Sequence, residues 1–345
     1  MMRKVLALSA LVLLSTAGVT IKAAGGHEVV VVTASNTTNN QLLVYDVAGT
    51  LIDSLPTLGD GGVGNNAGGI ATNNDLIAVV NFGSQSVSVF SHRDGTIELS
   101  QVIPSVSQPV SVAFGKDHLY VLGTTTLESH RIGLTGVENT PDGTVALLLA
   151  DGSAAQVGVV GDQLIASEKS GAVEVVQLRD GAVFGTPVSV PLPTNVRDTP
   201  FGLVTRGSNA YVTIAHSDVI DLIKNGQITA AAATGSNFPN GPGQQAPCWI
   251  ALLGPYLFTS NSPSHSLSRL LAGGGRVVLD VPIAAQTAGA PTDITVDADR
   301  LAVVELNGGS TSHLTQFRID DDGNLVQAAT SPIASSANGV AIVSW

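Results

Sequence analysis

The chain repeats itself at a long period. Aligned on one aliphatic position, seven stretches superpose: NNAGGIAT, VSQPVSVAF, GSAAQVGVV, RDTPFGLVT, QAPCWIALL, GAPTDITVD and SSANGVAIV. The anchors are Ile70, Val112, Val157, Leu203, Ile250, Ile294 and Val340, spaced by 42, 45, 46, 47, 44 and 46 residues. A period of this length is one supersecondary unit, and such a unit cannot bury its own apolar face. Stable burial comes only from stacking unit on unit, so the fold is a repeat architecture.

Each unit reads as β. Runs such as LIAVVN, SVSVF, HLYVLG, VEVVQL and AYVTIA are rich in β-branched residues. A second marker keeps the period: Gly49, Gly95, Gly136, Gly181, Gly226, Gly274 and Gly323 each fall between two strand-like runs. Asp94-Gly95, Asp180-Gly181, Asn225-Gly226 and Asp322-Gly323 are tight-hairpin dipeptides, because these turns require positive φ. Pro109, Pro200, Pro247 and Pro291 stand three places before their anchors, which suits a loop entering a strand. Four strands per unit at this period predict a β-propeller. At the ends, NGVAIVSW supplies one strand, while HEVVVVTAS, QLLVYDV and LIDSLP supply three. Joined, they complete one blade and remove the open edge. The expected fold class is all-β: a seven-bladed β-propeller over residues 27–345, with four antiparallel strands per blade. The N- and C-terminal strands share one blade.

The segment before the first repeat has a different character. MMRKVLALSALVLLSTAGVTIKAAGG places Arg3 and Lys4 ahead of an apolar run from Val5 to Ala17, followed by small residues. That is the order of a signal peptide, assigned to residues 1–24 with cleavage between Ala17 and Gly25. A secreted or periplasmic protein is expected, without stable membrane insertion after cleavage; the alternative is that the segment stays as an uncleaved anchor. With 44% hydrophobic and 12% charged residues the chain can bury a large core. Its net charge of −12 disfavours nucleic acid and anionic membranes as partners. A single cysteine excludes an internal disulfide. The chain is expected to act as a monomer.

The stretches NFGSQSVSVFSHRDGTIEL, QPVSVAFGKDHLYVLG, TPFGLV, QAPCWIALLGPYLFTSNSPSHSLSRL, APTDITV, FRIDDDGNL and ANGVAI span most of residues 67–345. Through them the chain resembles the seven-bladed β-propeller lactonase family, which includes propeller-type 6-phosphogluconolactonases and carboxy-muconate lactonising enzymes. The secreted bacterial branch is the most similar. The resemblance implies lactone chemistry in a polar pocket near the central channel, carried out by Arg, His and Glu side chains. One departure bears on the substrate. Several lactonases carry a Pro-Arg-His stretch where this chain has Pro291-Thr292-Asp293. A small, weakly charged lactone or sugar-like ligand is therefore expected, not a phosphorylated or polycarboxylate one. The alternative is a non-catalytic propeller that binds a sugar, peptide or protein partner.

Propeller topology selects the candidate residues. The inner strand starts, and the second strand ends, at one face. Second-strand ends are Asn81, Gly123, Glu168, His216, Asn261 and Glu305; positions just before the anchors include Ser111, Gln156, Trp249 and Asp293, with Arg197 and Asn338 close by. For lactone hydrolysis, Glu168 or Glu305 would be the general base and His216 the proton donor. Asn81 or Asn261 would steady the oxyanion, and Asp293, Arg197 and Asn338 would contact substrate; the Trp249 indole either packs a blade or stacks on a ring-shaped ligand there. As blade-tip carboxylates, both glutamates are expected to matter little for stability. No cofactor is expected; the alternative is a Ca²⁺ held by this oxygen-rich ring. The histidines show no zinc spacing, and His265 and His313 read as exposed loop residues. Cys248 has no neighbouring base, so it reads as the start of a buried strand and not as a nucleophile.

Overall fold

The computed structural model describes residues 29–192, 199–234, 243–307 and 311–345. The expected signal peptide and the candidate Arg197 lie outside the described residues. Seven antiparallel sheets follow one another around a ring. Blade 1 joins both ends of the chain. Asn338–Ser344 is its inner strand, followed outward by Val29–Ala34, Gln41–Tyr45 and Leu51–Pro56. In blade 2 the order from the axis outward is Ile70–Thr72, Leu76–Asn81, Ser86–Arg93 and Thr96–Pro104. Blades 3 to 7 begin with inner strands Pro109–Phe114, Ala154–Val160, Pro200–Arg206, Pro247–Leu253 and Ala290–Asp297.

Burial explains why the strands read as they do. Second strands lie between neighbouring blades and are covered on both faces: Leu76–Asn81 is buried from its second residue onward, and His118–Gly123 is buried throughout. Such strands read as continuous apolar runs without alternation. Outer strands have one wet face, so Leu51–Pro56 alternates between exposed and half-buried from Ile52 onward. All seven repeat anchors fall on inner strands and are buried.

The turns agree with the dipeptide reading in three of its four cases. Asp94-Gly95, Asp180-Gly181 and Asn225-Gly226 have positive φ at both positions. At Asp322-Gly323 only the glycine does, and the turn is widened by Asp320, whose Oδ1 accepts the N–H groups of Asp322 and Asn324. Blade 3 departs from four simple strands. Its outer strand is broken into Gly136–Val137 and Gly143–Ala146, both paired with Thr126–Gly133. Pro141 lies in the gap, where a residue without an N–H cannot continue the ladder.

The recurrent prolines also differ from expectation. Pro109, Pro200 and Pro247 open their inner strands and Pro291 is the second residue of its strand, so all four lie inside the ladder. Each is followed by a register shift, at Pro109/Ser111, Pro200/Leu203, Pro247/Trp249 and Pro291/Asp293, and blade 4 has one at Ala154/Gln156. A bulge re-aims the next side chain. Here Gln156, Leu203, Trp249 and Asp293 line the axis.

Ring closure rests on a register running from Val29↔Ser344 to Thr33↔Val340, with Thr33 Oγ1 donating to the Gly339 carbonyl at 2.6 Å. Removing residues 338–345 would take away the inner strand of blade 1 and leave Val29–Ala34 as an open edge. The truncated protein is expected to lose its cooperative melting transition and to aggregate. A melting curve like that of the full chain would contradict this closure.

Candidate functional site

A cavity of about 420 Å³ runs along the axis of the ring. All seven inner strands contribute to its wall, and one further segment does so through Ala67 and Gly68. Those two residues belong to the connection 57–69, which leads from the outer strand of blade 1 to the inner strand of blade 2. Asn66 Nδ2 donates to the Val110 carbonyl of blade 3 at 2.6 Å, and the Asn66 carbonyl accepts the Trp249 indole N–H of blade 6 at 2.8 Å. Asn338 Nδ2 of blade 1 donates to Asn66 Oδ1 at 3.0 Å. Ala67 N–H donates to Ala155 of blade 4, and the Gly68 carbonyl accepts the Val112 N–H of blade 3. A segment bonded to blades on opposite sides of a ring must cross its axis. Residues 66–68 are thus a strap that closes the channel on the face where the inner strands begin.

Local sequence explains the strap. LGDGGVGNNAGG is glycine-rich, and Gly68 has φ +64° with Ser111 Oγ 3.0 Å from where a Cβ would stand. A larger residue would push the strap off the axis. Asn36 anchors its base: Nδ2 donates to the Val63 carbonyl, and Oδ1 accepts the N–H groups of Gly62 and Val63. Sequence reasoning missed both Asn36 and Asn66. The available signal was this long, glycine-rich stretch before the first anchor.

The structure separates the predicted site residues. Trp249 and Asp293 line the cavity; Asn81, Glu168, His216, Asn261 and Glu305 are not among its lining residues. His216 is exposed on a 3₁₀ turn and bonds through Nδ1 to Thr199 Oγ1 at 2.8 Å. Glu305 is 1% exposed, and its Oε2 accepts the N–H groups of Ala288 and Gly289 at 2.8 and 3.2 Å. It caps the entry to blade 7, so the expected solvated blade tip is corrected to a buried one. His313, expected in an exposed loop, is a strand residue paired with Glu305, whereas His265 is exposed.

Asn81, Asn261 and Glu168 occupy one repeated slot at the end of a second strand, and all three are fully buried. Asn81 Nδ2 donates to Ser88 Oγ at 2.7 Å and Asn261 Nδ2 donates to Ser268 Oγ at 2.8 Å. In both cases the acceptor is the third residue of the next strand. In blade 4 those positions hold Glu168 and Glu174. Glu174 Oε1 accepts the Leu148 N–H at 2.7 Å. Burial first, and then the neighbouring Glu174, push the Glu168 carboxyl up to about 9. At neutral pH Glu168 therefore keeps its proton and can donate it to Glu174, as the asparagines donate their amide hydrogens.

Unfolded Glu168 loses its proton near 4.5, whereas folded Glu168 holds it up to about 9. The native state binds the extra proton between those values, so stability falls as pH rises through that window. Glu168→Gln supplies a permanent donor. Its melting temperature, compared with wild type from pH 5 to pH 9, is expected to gain steadily on wild type. Parallel pH profiles would contradict the shared proton.

Around the cavity, Asp293 is 6% exposed, and burial pushes its carboxyl up to about 7 against the N–H groups of Ile294 and Val340. Gln156 accepts the Leu203 N–H through Oε1 at 2.7 Å. Its Nε2 lies beside Gly68, 3.2 Å from where that residue's Cβ would stand. The Trp249 indole stands edge-on to Phe201 with centroids 4.9 Å apart. Asn338 supports the strap. Cys248 is half-buried, and burial pushes its thiol up to about 12, which leaves no thiolate at neutral pH. Among the described residues, no group of three or more His, Cys, Asp or Glu side chains is arranged to hold a metal ion. Among the same residues, no helix is long and apolar enough to cross a membrane.

No family model matches the sequence, and no curated protein matches it. Solved structures do. The periplasmic gluconolactonase PpgL of Pseudomonas aeruginosa is 15% identical with a TM-score of 0.62, over 92% of this chain and 99% of that one. A Bacteroides fragilis protein with a provisional 6-phosphogluconolactonase designation is 14% identical with a TM-score of 0.63, over 92% and 98%. A Lactobacillus plantarum protein is 17% identical with a TM-score of 0.66, over 92% and 100%. At these identities the likeness shows the seven-bladed fold.

Proposed function

We propose that the chain is an exported, lactonase-like hydrolase of a small, weakly charged lactone, with the axial cavity as its reaction chamber. One observation carries the reading: among the described residues, Asp293 is the one ionisable side chain in the lining, and burial pushes its carboxyl up to about 7. A carboxyl raised to this range has both its base and its acid form within reach at neutral pH. As the carboxylate it takes a proton from water, whose oxygen forms a bond to the lactone carbonyl carbon. The Gln156 amide N–H can donate to the developing oxyanion. Collapse breaks the ring C–O bond, and the protonated Asp293 returns its proton to the leaving alkoxide. The net reaction is lactone plus water to hydroxy acid.

Export is supported by the order of charges and apolar residues before Gly25. The choice of a lactone is supported by the fold shared with the periplasmic gluconolactonase. The wall also limits the substrate. Among the described residues, the lining includes no lysine, arginine or histidine, so it offers no cation to pair with a phosphate. Of the residues predicted from sequence, this reading keeps Asp293 and Trp249 at the substrate and gives Asn338 a supporting role at the strap.

The test is hydrolysis of D-glucono-δ-lactone followed by pH-stat, with its 6-phosphate as comparison. Turnover of the neutral lactone is expected to rise with pH through about 7, following Asp293. Asp293→Asn should lose a factor on the order of 10²–10⁴, the usual scale for a general base. The phosphorylated lactone should be a poor substrate. Full activity of Asp293→Asn, or no hydrolysis of any lactone, would overturn the assignment.

A further inference from the structure

We infer that the axial cavity is a blind pocket whose ligand enters from the face where the inner strands end, opposite the strap. Three independent features point there. The first is the strap, whose bonds to blades 1, 3, 4 and 6 shut the other mouth. The second is a gradient of burial along the wall. Ile70, Trp249 and Asp293, near the starts of their strands, are buried, whereas Thr72, Phe114 and Thr205, toward the ends, are half-exposed. The third is chain length. At the far face of blades 2 to 7 the inner and second strands are joined by residues 73–75, 115–117, 161–162, 207–208, 254–255 and 298–299. An extended residue spans only about 3.5 Å, so turns of that length cannot fold over the axis.

The direction of entry narrows the ligand class; this clause alone rests on the lactonase reading above. Asp293 and Gln156 lie toward the closed end, so the reacting carbonyl must go in first and the rest of the molecule must trail toward Thr205 and Thr295. Between mouth and floor the ligand passes hydroxyl and aliphatic groups. An anion stripped of water there, beside a carboxylate and without a cation, would be strongly disfavoured. The pocket fits an uncharged, hydroxylated ring with one unsubstituted end.

Access can be read without turnover. Trp249 lines the cavity, and Trp345 is the other tryptophan of the chain. In a Trp345→Phe background, quenching of Trp249 fluorescence by acrylamide, a small neutral probe, reports entry. Thr72→Arg with Thr205→Arg narrows the open mouth and is expected to lower the quenching constant several-fold at unchanged secondary structure. If that pair does not fold, Thr72→Leu with Thr205→Leu gives the same direction with a smaller drop. Quenching unaffected by the mouth variants would overturn the entry route, even in a protein that hydrolyses lactones through Asp293. The reverse result, reduced quenching in a protein that hydrolyses none, would keep the route and remove the lactone.

Discussion

The hydrogen bonds of residues 66–68 across the axis are the interaction on which the rest of the site depends. A ring of seven blades leaves a hole lined by inner strands, and that hole is filled, flooded or capped. Here Asn66 reaches blades 1, 3 and 6 through its side chain and carbonyl, and Ala67 reaches blade 4. These bonds sit among buried groups, where an unmade partner costs about 1–3 kcal/mol. The strap therefore holds one place. It uses the indole N–H of Trp249 and one end of Asn338, and it turns a through-channel into a pocket with a floor. The same closure keeps water from one side of Asp293, and burial is what lifts that carboxyl toward neutrality.

Symmetry of the blades hides a difference of role. Equivalent positions at the second-strand ends hold Asn81, Glu168, Asn261 and Glu305, which looks in sequence like a ring of polar groups facing a channel. In the folded chain each is used within or beside its own blade. Asn81 and Asn261 donate to the next strand, Glu168 is held protonated by burial beside Glu174, and Glu305 receives two loop N–H groups. A carboxyl can serve in an asparagine's slot because protonation gives it a donor.

Much of the fold was legible because its causes are local and periodic. Anchor spacing, Asp-Gly and Asn-Gly turns, and complementary chain ends each follow from strand and turn chemistry, and repetition multiplies a weak signal sevenfold. The site was less legible. Trp249 and Asp293 could be placed near the axis because they adjoin the anchors. The bulges that aim them inward, and the Pro141 break in blade 3, depend on register, which residue types alone do not reveal. The strap was hidden because its partners lie in blades distant in sequence. Glycines and asparagines that read as a loose loop become fixed once Val110, Ala155 and Trp249 converge on them. The burial of Glu168 and Glu305 was hidden for the same reason.

Backbone exchange tests the axial closure most directly. The Ala67 and Val112 amides are bonded across the strap, so their hydrogens should exchange as slowly as those of the second strands, such as Leu76–Asn81. Hydrogen–deuterium exchange of the full-length protein, resolved to the Ala67 and Val112 amides within peptides covering residues 62–72 and 109–114, reads this out. Protection equal to that of the core strands is the predicted result. Exchange within seconds, as for an exposed loop, would contradict a fixed strap and the blind pocket built on it.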